Sequence, residues 1–478
     1  MSFDLFSWMS IQLNQATPAQ RNNFLTTLGA RIFSEANDIK RTRKALAREL
    51  NWDEEQVTAV FNGQARVEEA LDLLSQMIQN YPLSLNDLWL NLPLDQASHW
   101  VNAEQSKSTS RIFNRPNAHG ELTPYYEYRD TAMAPQAPFR PEWISQLRWV
   151  DNTDPEHPDV VYNKGHLMNQ FTFFIGEVNF YWEDQGKRYC REMNTGDSCH
   201  ITPFVPHTFT SRNTEQHGLI IAVTYGDNLR RANNHLSMDG QSSVSYLGRV
   251  FEQTAPECKV HSPFNFALRL HLDADLKTPD QLAETAGLSL DRLNELLVQA
   301  APKLDEVKRL AEAFNLRPED IYQPIDAKAV EFAMVKDQSW FESTEFGLRH
   351  KDLARAESQP GMKSFLLEVS QANRHKVLQH AYHQYVYNFS DQPVCVTLGD
   401  PDAGDKSQTR VLSPSSSCYL QPHLAHAFHL TSDADYQTKV QIIIVRLAAH
   451  FNQATINELA QINQFGRQRL LNETSQWF

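Results

Sequence analysis

Cysteine is scarce in this chain, and long apolar runs are absent. The cysteines number five and form no CxxC pair: Cys190, Cys199, Cys258, Cys395 and Cys418. Disulfide-stapled and zinc-ribbon proteins need closely paired cysteines, so both classes are disfavoured and reduced thiols are expected. No apolar run could cross a bilayer, and residues 1–8 lack the basic segment and cleavage site of a signal peptide. We therefore expect a cytoplasmic protein with no membrane partner.

Positive charge is also in deficit. The chain has 44 lysines and arginines against 58 aspartates and glutamates, a net charge of −14. An acidic surface repels a polyanion, which disfavours DNA binding as the main activity. The length of 478 residues exceeds what one ordinary core accommodates, so two to four domains are predicted.

Residues 20–90 are predicted to form a helical unit. Apolar residues recur at helical spacing from Phe24 to Phe33, and two short helices follow around Leu46 and Val57. This pattern resembles the helix-turn-helix unit of lambda-type repressors, whose second helix enters the major groove. Here that helix begins with the carboxylates Asp53-Glu54-Glu55, where contacts to phosphate need neutral or basic groups. A structural module is therefore predicted, and DNA binding is disfavoured.

The next segments differ in composition. Residues 91–124 are polar and contain Ser, Thr, Asn and Pro, which predicts a connecting arm. Residues 125–250 alternate short aromatic and β-branched runs with turns rich in Asp, Gly and Asn. That pattern predicts a small all-β barrel.

The second half of the chain repeats the first more loosely. Residues 270–325 are predicted to be a second helical unit, 330–450 a second barrel and 455–478 an amphipathic helix. His380 and Gln384 repeat the His-x3-Gln spacing of His166 and Gln170, and His426 repeats His207. Self-comparison therefore predicts a tandem duplication of helical unit plus barrel.

The strongest chemical signal is Asn163-x2-His166-x3-Gln170 with a distant His207. Residues four apart in a strand share a face, so His166 and Gln170 are both predicted to point inward. Two neutral imidazoles and one oxygen form the facial set that holds ferrous iron and leaves positions open for substrate and oxygen. The alternative for Gln170 is an inward-facing residue that only makes hydrogen bonds.

Together these motifs resemble the phosphonate-processing non-haem iron oxygenases. That family joins a repressor-like helical unit to a cupin barrel, and it includes 2-hydroxypropylphosphonate epoxidase, 2-hydroxyethylphosphonate dioxygenase and the methylphosphonate synthases. The epoxidase pattern has a carboxylate at the position of Gln170, and the dioxygenase has a glutamate at the position of Ile201. With both carboxylates missing, the chain is most similar to the methylphosphonate synthase branch.

The resemblance implies an α+β fold: a tandem repeat of a repressor-like helix-turn-helix unit and a cupin (double-stranded β-helix) barrel. It implies Fe(II) held by His166, Gln170 and His207. It also implies a larger set of substrate-binding and catalytic residues, in which Tyr128, Lys40 and Ile201 act in catalysis: Asn163, Tyr125, Tyr126, Tyr128, Arg111 or Arg115, Lys40 and Ile201. In some members the equivalent of Lys40 comes from a neighbouring subunit, so a homo-oligomer, dimer or tetramer, is expected.

The implied activity is the Fe(II)- and O2-dependent cleavage of the carbon-carbon bond of 2-hydroxyethylphosphonate. The predicted products are methylphosphonate and bicarbonate or CO2. Two alternatives remain open: a dioxygenase that gives hydroxymethylphosphonate and formate, and a cupin-type transcriptional regulator. The second barrel is expected to be degenerate, although a second metal at His380, Gln384 and His426 is also open.

Overall fold

The computed structural model describes residues 5–83, 97–226, 240–254, 263–298, 300–322, 328–343, 347–399, 407–431, 434, 435, 437–448 and 452–471. Cys258 and the ends of the predicted arm and terminal helix, residues 91–96 and 472–478, lie outside these ranges. Within the described residues, no helix is both long and apolar enough to cross a membrane.

The described part of the first helical unit, residues 5–83, contains five helices: α1 (Leu5–Gln15), α2 (Pro18–Asp38), α3 (Arg43–Leu50), α4 (Glu54–Phe61) and α5 (Val67–Asn80). Thr17 caps α2 with its side chain, and Pro18 follows at the first helical position, where no amide hydrogen is needed. Asn51 ends α3 in the left-handed region at φ 58°. The turn places Leu46 and Val57 against Leu28 and Ile32 in one buried core.

A second helical unit contains α7 (Gln241–Thr254), α8 (Pro263–Ala274), α9 (Pro279–Ala286), α10 (Leu290–Val298), α11 (Leu304–Ala313) and α12 (Pro318–Ile321), and a short α6 (Ala103–Ser108) precedes it in the chain. Its α9 is eight residues long, the same length as α3. A threonine caps the start of each of these helices, Thr42 and Thr278, and a residue with positive φ ends each, Asn51 and Gly287. The two turns therefore have the same construction.

The described residues contain twenty strands, numbered here in chain order. They are β1 (Ser98–Val101), β2 (Arg111–Pro116), β3 (Leu122–Asp130), β4 (Phe139–Gln146), β5 (Asn169–Ile175), β6 (Val178–Asp184), β7 (Lys187–Met193), β8 (Ser198–Ile201), β9 (His207–Ser211), β10 (Leu219–Tyr225), β11 (Val330–Ala333), β12 (Phe341–Ser343), β13 (Leu348–Asp352), β14 (Met362–Ser370), β15 (His383–Tyr387), β16 (Val394–Leu398), β17 (Gln408–Leu412), β18 (Ser417–Leu420), β19 (His426–His429) and β20 (Lys439–Leu447). They form two barrels, each with one seven-stranded and one three-stranded sheet.

The two barrels have the same strand order. The first contains β11-β8-β5-β10-β4-β3-β2 and β7-β6-β9, and the second contains β1-β18-β15-β20-β14-β13-β12 and β17-β16-β19. Strands β2 to β10 therefore correspond one by one to β12 to β20. The exception is the edge: β1, which precedes the first barrel, pairs with β18 of the second, and β11 pairs with β8 of the first.

The central strands of each large sheet are buried on both faces. Phe171 and Phe173 of β5 pack with Tyr385 and Tyr387 of β15 in a core shared by the barrels. The alternate residue Phe174 faces the interior of the first barrel. Successive side chains point to opposite faces, so Gln170 and Gln384 share the parity of the interior positions. This double burial explains why these strands are almost continuously apolar.

Two predicted segments have more structure than expected. The described part of the predicted arm contains β1, α6, β2 and the start of β3. It is ordered because β1 pairs with β18 of the second barrel and β2 pairs with β3 of the first. Near the carboxyl end, the predicted single helix is two short ones, α13 (Gln453–Gln461) and α14 (Gln464–Leu471). Ile462, with extended backbone, separates them.

Candidate metal centre

His166 and His207 present their imidazoles to the same cavity. The Nδ1 atom of His166 lies 2.7 Å from the carbonyl of Met168, and that of His207 lies 2.8 Å from the carbonyl of Val205. A carbonyl accepts only, so each Nδ1 carries the proton and each Nε2 keeps its lone pair. Burial lowers the pKa of His207 to about 4, which keeps this imidazole neutral.

The sequence prediction that both His166 and Gln170 lie on one strand is wrong, because β5 begins only at Asn169. His166 reaches the site from the preceding loop, in which Gly165 has φ 73°. A Cβ atom at position 165 would lie 2.4 Å from the backbone carbon of Phe204. Only glycine fits there, and it allows the amide of Phe204 to donate to the carbonyl of His166 over 2.9 Å.

Gln170 is held so that its oxygen faces the histidines. Its Nε2 donates to Thr172 Oγ1 over 2.8 Å, and its Oε1 lies 3.1 Å from His166 Nε2. In this orientation the amide nitrogen points to Thr172 and the amide oxygen points into the cavity. Two imidazole lone pairs and one amide oxygen thus converge, and this donor set fits a divalent metal such as Fe(II).

A hydrophobic side chain, Ile201, stands at the position where the dioxygenase pattern has a glutamate. Ile201 is opposite Gln170 on β8, and it is fully buried in the interior core without lining the cavity. Among the described residues, no group of three or more His, Cys, Asp or Glu side chains could hold a metal. The amide oxygen of Gln170 would be the third protein donor beside the two imidazoles.

The centre opens into a cavity of about 280 Å³. Four residues predicted to bind substrate or act in catalysis line this cavity: Arg115, Tyr126, Tyr128 and Asn163. The three candidate ligands line it as well. The Oδ1 atom of Asn163 accepts from the amides of Gly165 and His207, both over 2.9 Å. Its Nδ2 lies 3.2 Å from His207 Nε2 and faces the cavity as a donor.

The structure distinguishes Arg115 from Arg111, the two arginines that the sequence offered as alternatives for substrate binding. Arg115 lines the cavity, donates to Thr208 Oγ1 over 3.3 Å and to the carbonyl of Val161, and its guanidinium lies 4.7 Å from the ring centre of Tyr125. Arg111 instead forms an ion pair with Asp130 over 2.8 Å at the surface, outside the cavity. Arg115 is therefore the candidate for phosphonate contact.

The tyrosine cluster is divided between two roles. Tyr125 is fully buried behind the cavity, where its hydroxyl shares Thr208 with that of Tyr126, at 2.9 and 2.8 Å. Tyr126 and Tyr128 line the cavity. Burial, with Glu142 nearby, raises the pKa of Tyr128 to about 12, and burial also raises that of Tyr126. Both phenols therefore keep their protons and can donate.

Lys40 lies apart from the candidate metal centre of its own chain. It follows α2 at φ 60°, and its ammonium group donates to the carbonyls of Asn37 and Asp38 over 3.3 and 3.2 Å. It does not line the cavity. A contact made across subunits stays a prediction.

Sequence reasoning missed three polar cavity residues, Arg140, Glu142 and Thr224. The first two alternate with Ile144 along β4, so the period of two in Arg-Pro-Glu-Trp-Ile could have identified them. Burial raises the pKa of Glu142, and the nearby Asp130 adds to this. The face of β4 towards the centre thus carries both a cation and a carboxyl group.

The corresponding residues of the second barrel also lie together. His380 Nε2 is 3.0 Å from Gln384 Oε1, and His426 Nε2 is 3.0 Å from Gln384 Nε2. Arg446 Nε donates to Gln384 Oε1 over 2.7 Å. A guanidinium therefore hydrogen-bonds the glutamine oxygen of this second His-Gln-His set, whereas no guanidinium among the described residues hydrogen-bonds Gln170.

The paired barrels and the His-Gln-His centre define a cupin-type protein with one candidate metal site in its first barrel. No family model matches the chain. The methylphosphonate synthase of Nitrosopumilus maritimus (strain SCM1) is 32% identical over 468 residues, which cover 96% of each chain. The chain therefore belongs to the methylphosphonate synthase family, and the family predicted from the sequence is confirmed.

Solved structures agree. The chain resembles Streptomyces albus HEPD, which was solved with 2-hydroxyethylphosphonate and Fe(II) bound, with a TM-score of 0.76 and 29% identity over 95% of this chain and 99% of that one. It also resembles PhpD with cadmium atoms, with a TM-score of 0.67 and 17% identity over 94% and 98%. The second likeness concerns the fold alone. The cupin-type architecture predicted from the sequence is thus confirmed.

Proposed function

We propose that the chain is an Fe(II)- and O2-dependent oxygenase that cleaves the carbon-carbon bond of 2-hydroxyethylphosphonate and releases methylphosphonate with bicarbonate or CO2. The observation that carries this proposal is Gln170, held by Thr172 with its oxygen towards His166, while Ile201 stands where the dioxygenase pattern has a glutamate. Family membership supports it at 32% identity.

His166, Gln170 and His207 would hold Fe(II), which supplies the binding and reduction of O2. All three ligands are neutral, so the occupied centre has one more positive charge than a centre with two histidines and a carboxylate. That charge favours an anion with two donor oxygens. A phosphonate with a neighbouring alcohol has this form, because one oxygen of each group can be presented to the same centre.

The chain's own residues would then fix the phosphonate. Arg115 offers a planar guanidinium from the cavity wall, and hydrogen bonds to Thr208 and Val161 set its direction. Asn163 has its oxygen engaged by two backbone amides, so its NH2 group is left to donate towards substrate. The neutral phenol of Tyr128 adds a donor.

The carboxyl group of Glu142 differs from these donors, because in its ionised form it opposes phosphonate binding. When ionised, it would repel a dianion in the same cavity, and burial raises its pKa. Raising that pKa favours the protonated form, which can donate a hydrogen bond. We include Arg140 and Glu142 among the residues that set the charge of the cavity.

For the rest of the chain, we propose a tandem repeat of a helix-turn-helix-like unit followed by a cupin barrel. The matched turns at Asn51 and Gly287 support the first part of the repeat, and the matched strand orders support the second. We further propose a cytoplasmic homo-oligomer in which Lys40 approaches a neighbouring subunit's centre. No disulfide joins the four described cysteines, which fits a reducing compartment.

Product analysis tests the proposed reaction. The purified protein is loaded anaerobically with Fe(II), mixed with 2-hydroxyethylphosphonate and exposed to O2, and the products are quantified by phosphorus NMR. We expect methylphosphonate to form in proportion to the O2 consumed. A product pool that contains only hydroxymethylphosphonate would replace our proposal with the dioxygenase reaction, which the likeness to HEPD makes the second candidate.

A further inference from the structure

The second barrel contains counterparts of the three candidate metal ligands, and an arginine lies beside them. His380, Gln384 and His426 repeat the spacing of the first set, and each Gln384 amide atom lies 3.0 Å from one of the two imidazoles. Arg446 is the addition, at 2.7 Å from Gln384 Oε1. This arginine occupies the side of the glutamine oxygen on which a metal would bind.

Strand register identifies the residue that Arg446 replaces. In the second barrel, Gln384 of β15 lies opposite Arg446 of β20. In the first barrel, Gln170 of β5 lies opposite Thr224 of β10, the strand that corresponds to β20. Thr224 is short, and its hydroxyl donates to the carbonyl of Arg140 over 3.2 Å, so the centre of that barrel stays open.

Charge makes the two occupants mutually exclusive. Burial lowers the pKa of Arg446 only to about 10, so its guanidinium keeps a full charge at neutral pH. A divalent ion bound to Gln384 Oε1 would lie within a few ångströms of that charge in a partly buried site. Its oxygen already accepts from the guanidinium, and the two cations would repel each other strongly.

A second difference concerns the amide of the glutamine. In the first barrel, Thr172 accepts from Gln170 Nε2, so the amide nitrogen of this glutamine points away from the imidazoles, and the contact to His207 Nε2 comes from Asn163 over 3.2 Å. The equivalent position two residues after Gln384 is Val386, which has no acceptor. Gln384 Nε2 turns to His426 Nε2 instead and engages the lone pair that a metal would need.

We infer that Arg446 is a built-in cation that takes the place of a metal ion in the second barrel, so that the chain binds one metal, in the first barrel only. This inference rests on the proposed function for the identity of the metal as Fe(II). The exclusion itself depends on Arg446 and its contacts.

The test is a count of metal per chain. Wild type and variants are incubated anaerobically with excess Fe(II), desalted and assayed for iron and protein, and folding is checked by circular dichroism. We expect about one iron per chain for wild type and for His380→Ala. Arg446→Thr, which copies Thr224, should bind close to two, and adding His380→Ala should return the count to one.

The reciprocal exchange makes the inference independent of how well Arg446→Thr folds. Thr224→Arg places a guanidinium opposite Gln170 and should reduce the iron content from about one to near zero. Two irons in the wild type, with one lost in His380→Ala, would overturn the inference, and so would a folded Arg446→Thr or Arg446→Ala that stays at one. Retention of iron by Thr224→Arg would also contradict it. A wild type without iron would instead refute the proposed function.

Discussion

The two barrels have the same strand order and the same His-Gln-His spacing, yet their centres differ. Around Gln170, the neighbours are Thr172 and Thr224, and both imidazole Nε2 atoms face an open cavity. Around Gln384, the neighbours are Val386 and Arg446, and the four polar groups of that centre bind one another. The comparison teaches that ligand spacing alone does not make a metal site, because the residues beside the glutamine decide whether its oxygen is available.

The largest expected effect is the removal of a histidine from the first barrel, and the matching removal from the second barrel is its control. His207→Ala removes a candidate ligand, so iron content and activity should both fall to background, while His426→Ala should leave both unchanged. Iron analysis and product formation measure the contrast. Stoichiometric iron in a folded His207→Ala protein would refute the ligand assignment.

Thr172→Val converts the surroundings of Gln170 into those of Gln384. The amide would lose its acceptor and be free to turn towards His207, so we expect iron affinity to fall about 10- to 100-fold, as for other residues that orient ligands. Anaerobic competition with a chelator measures this. Thr172→Ser restores the hydroxyl and should restore the affinity; an unchanged affinity in Thr172→Val would show that Thr172 does not orient the ligand.

Arg115→Ala tests whether the open cavity binds an anion. Hydrogen bonds to charged groups contribute roughly 1.5–3 kcal/mol, so the KM for 2-hydroxyethylphosphonate should rise about 10- to 100-fold. Arg111→Ala, which breaks only a surface pair with Asp130, is the matched control and should change KM little. Equal effects of the two changes would remove Arg115 from the phosphonate site.

Lys40→Asn tests the proposed contribution from a neighbouring subunit. Asn tolerates the φ of 60° at this position and removes the charge. We expect KM to rise with little change in thermal stability, by an amount no larger than for Arg115. Lys44→Ala on α3 provides a control from the same basic segment, and kinetics that match wild type would return Lys40 to a surface role.

The smallest effect extends the comparison to the helical units. Glu306, at the start of α11, is buried against Arg292, whose guanidinium holds its pKa at about 2 against the ordinary 4.5. Its equivalent at the start of α5, Glu69, pairs at the surface with Arg66. Glu306→Gln should therefore lower the unfolding midpoint by a few degrees, and Glu69→Gln by less.

The pH dependence of this pair has a defined sign. Because the folded pKa of Glu306 is the lower one, its ionised form stabilises the fold above about pH 4.5, and that contribution disappears as the pH falls towards 2. The difference between wild type and Glu306→Gln should shrink over that interval. Thermal unfolding from pH 7 to pH 3 measures it, and a constant difference would show that the ion pair is not its cause.

Much of this organisation follows from local signals in the sequence. The apolar spacing from Phe24 to Phe33 and the repeated His-x3-Gln motif lie within short windows of the sequence. They therefore predicted the first helical unit, the duplication and the pair His166 and Gln170, although the start of β5 after His166 depended on the loop that Gly165 permits.

Long-range pairing explains what the sequence did not reveal. Arg446 lies 62 positions from Gln384, and only the register of β15 with β20 brings the two together. The assignment of Arg115 rather than Arg111 likewise depended on Thr208 and Val161, which come from later parts of the barrel. A single sequence contains no signal for such partners, because many registers would bury the same apolar residues.

The exchanged edge strands have a consequence for any attempt to shorten this protein. Ile201 lies between Gln170 on one side and Val330 on the other, and Val330 belongs to the second half of the chain. A fragment that ended before β11 would keep every candidate ligand, yet it would leave Ser198–Ile201 as an open edge with unpaired backbone groups. A strand from the half without the proposed iron is thus part of the wall of the barrel that would hold it, so a shortened protein would have to keep β11.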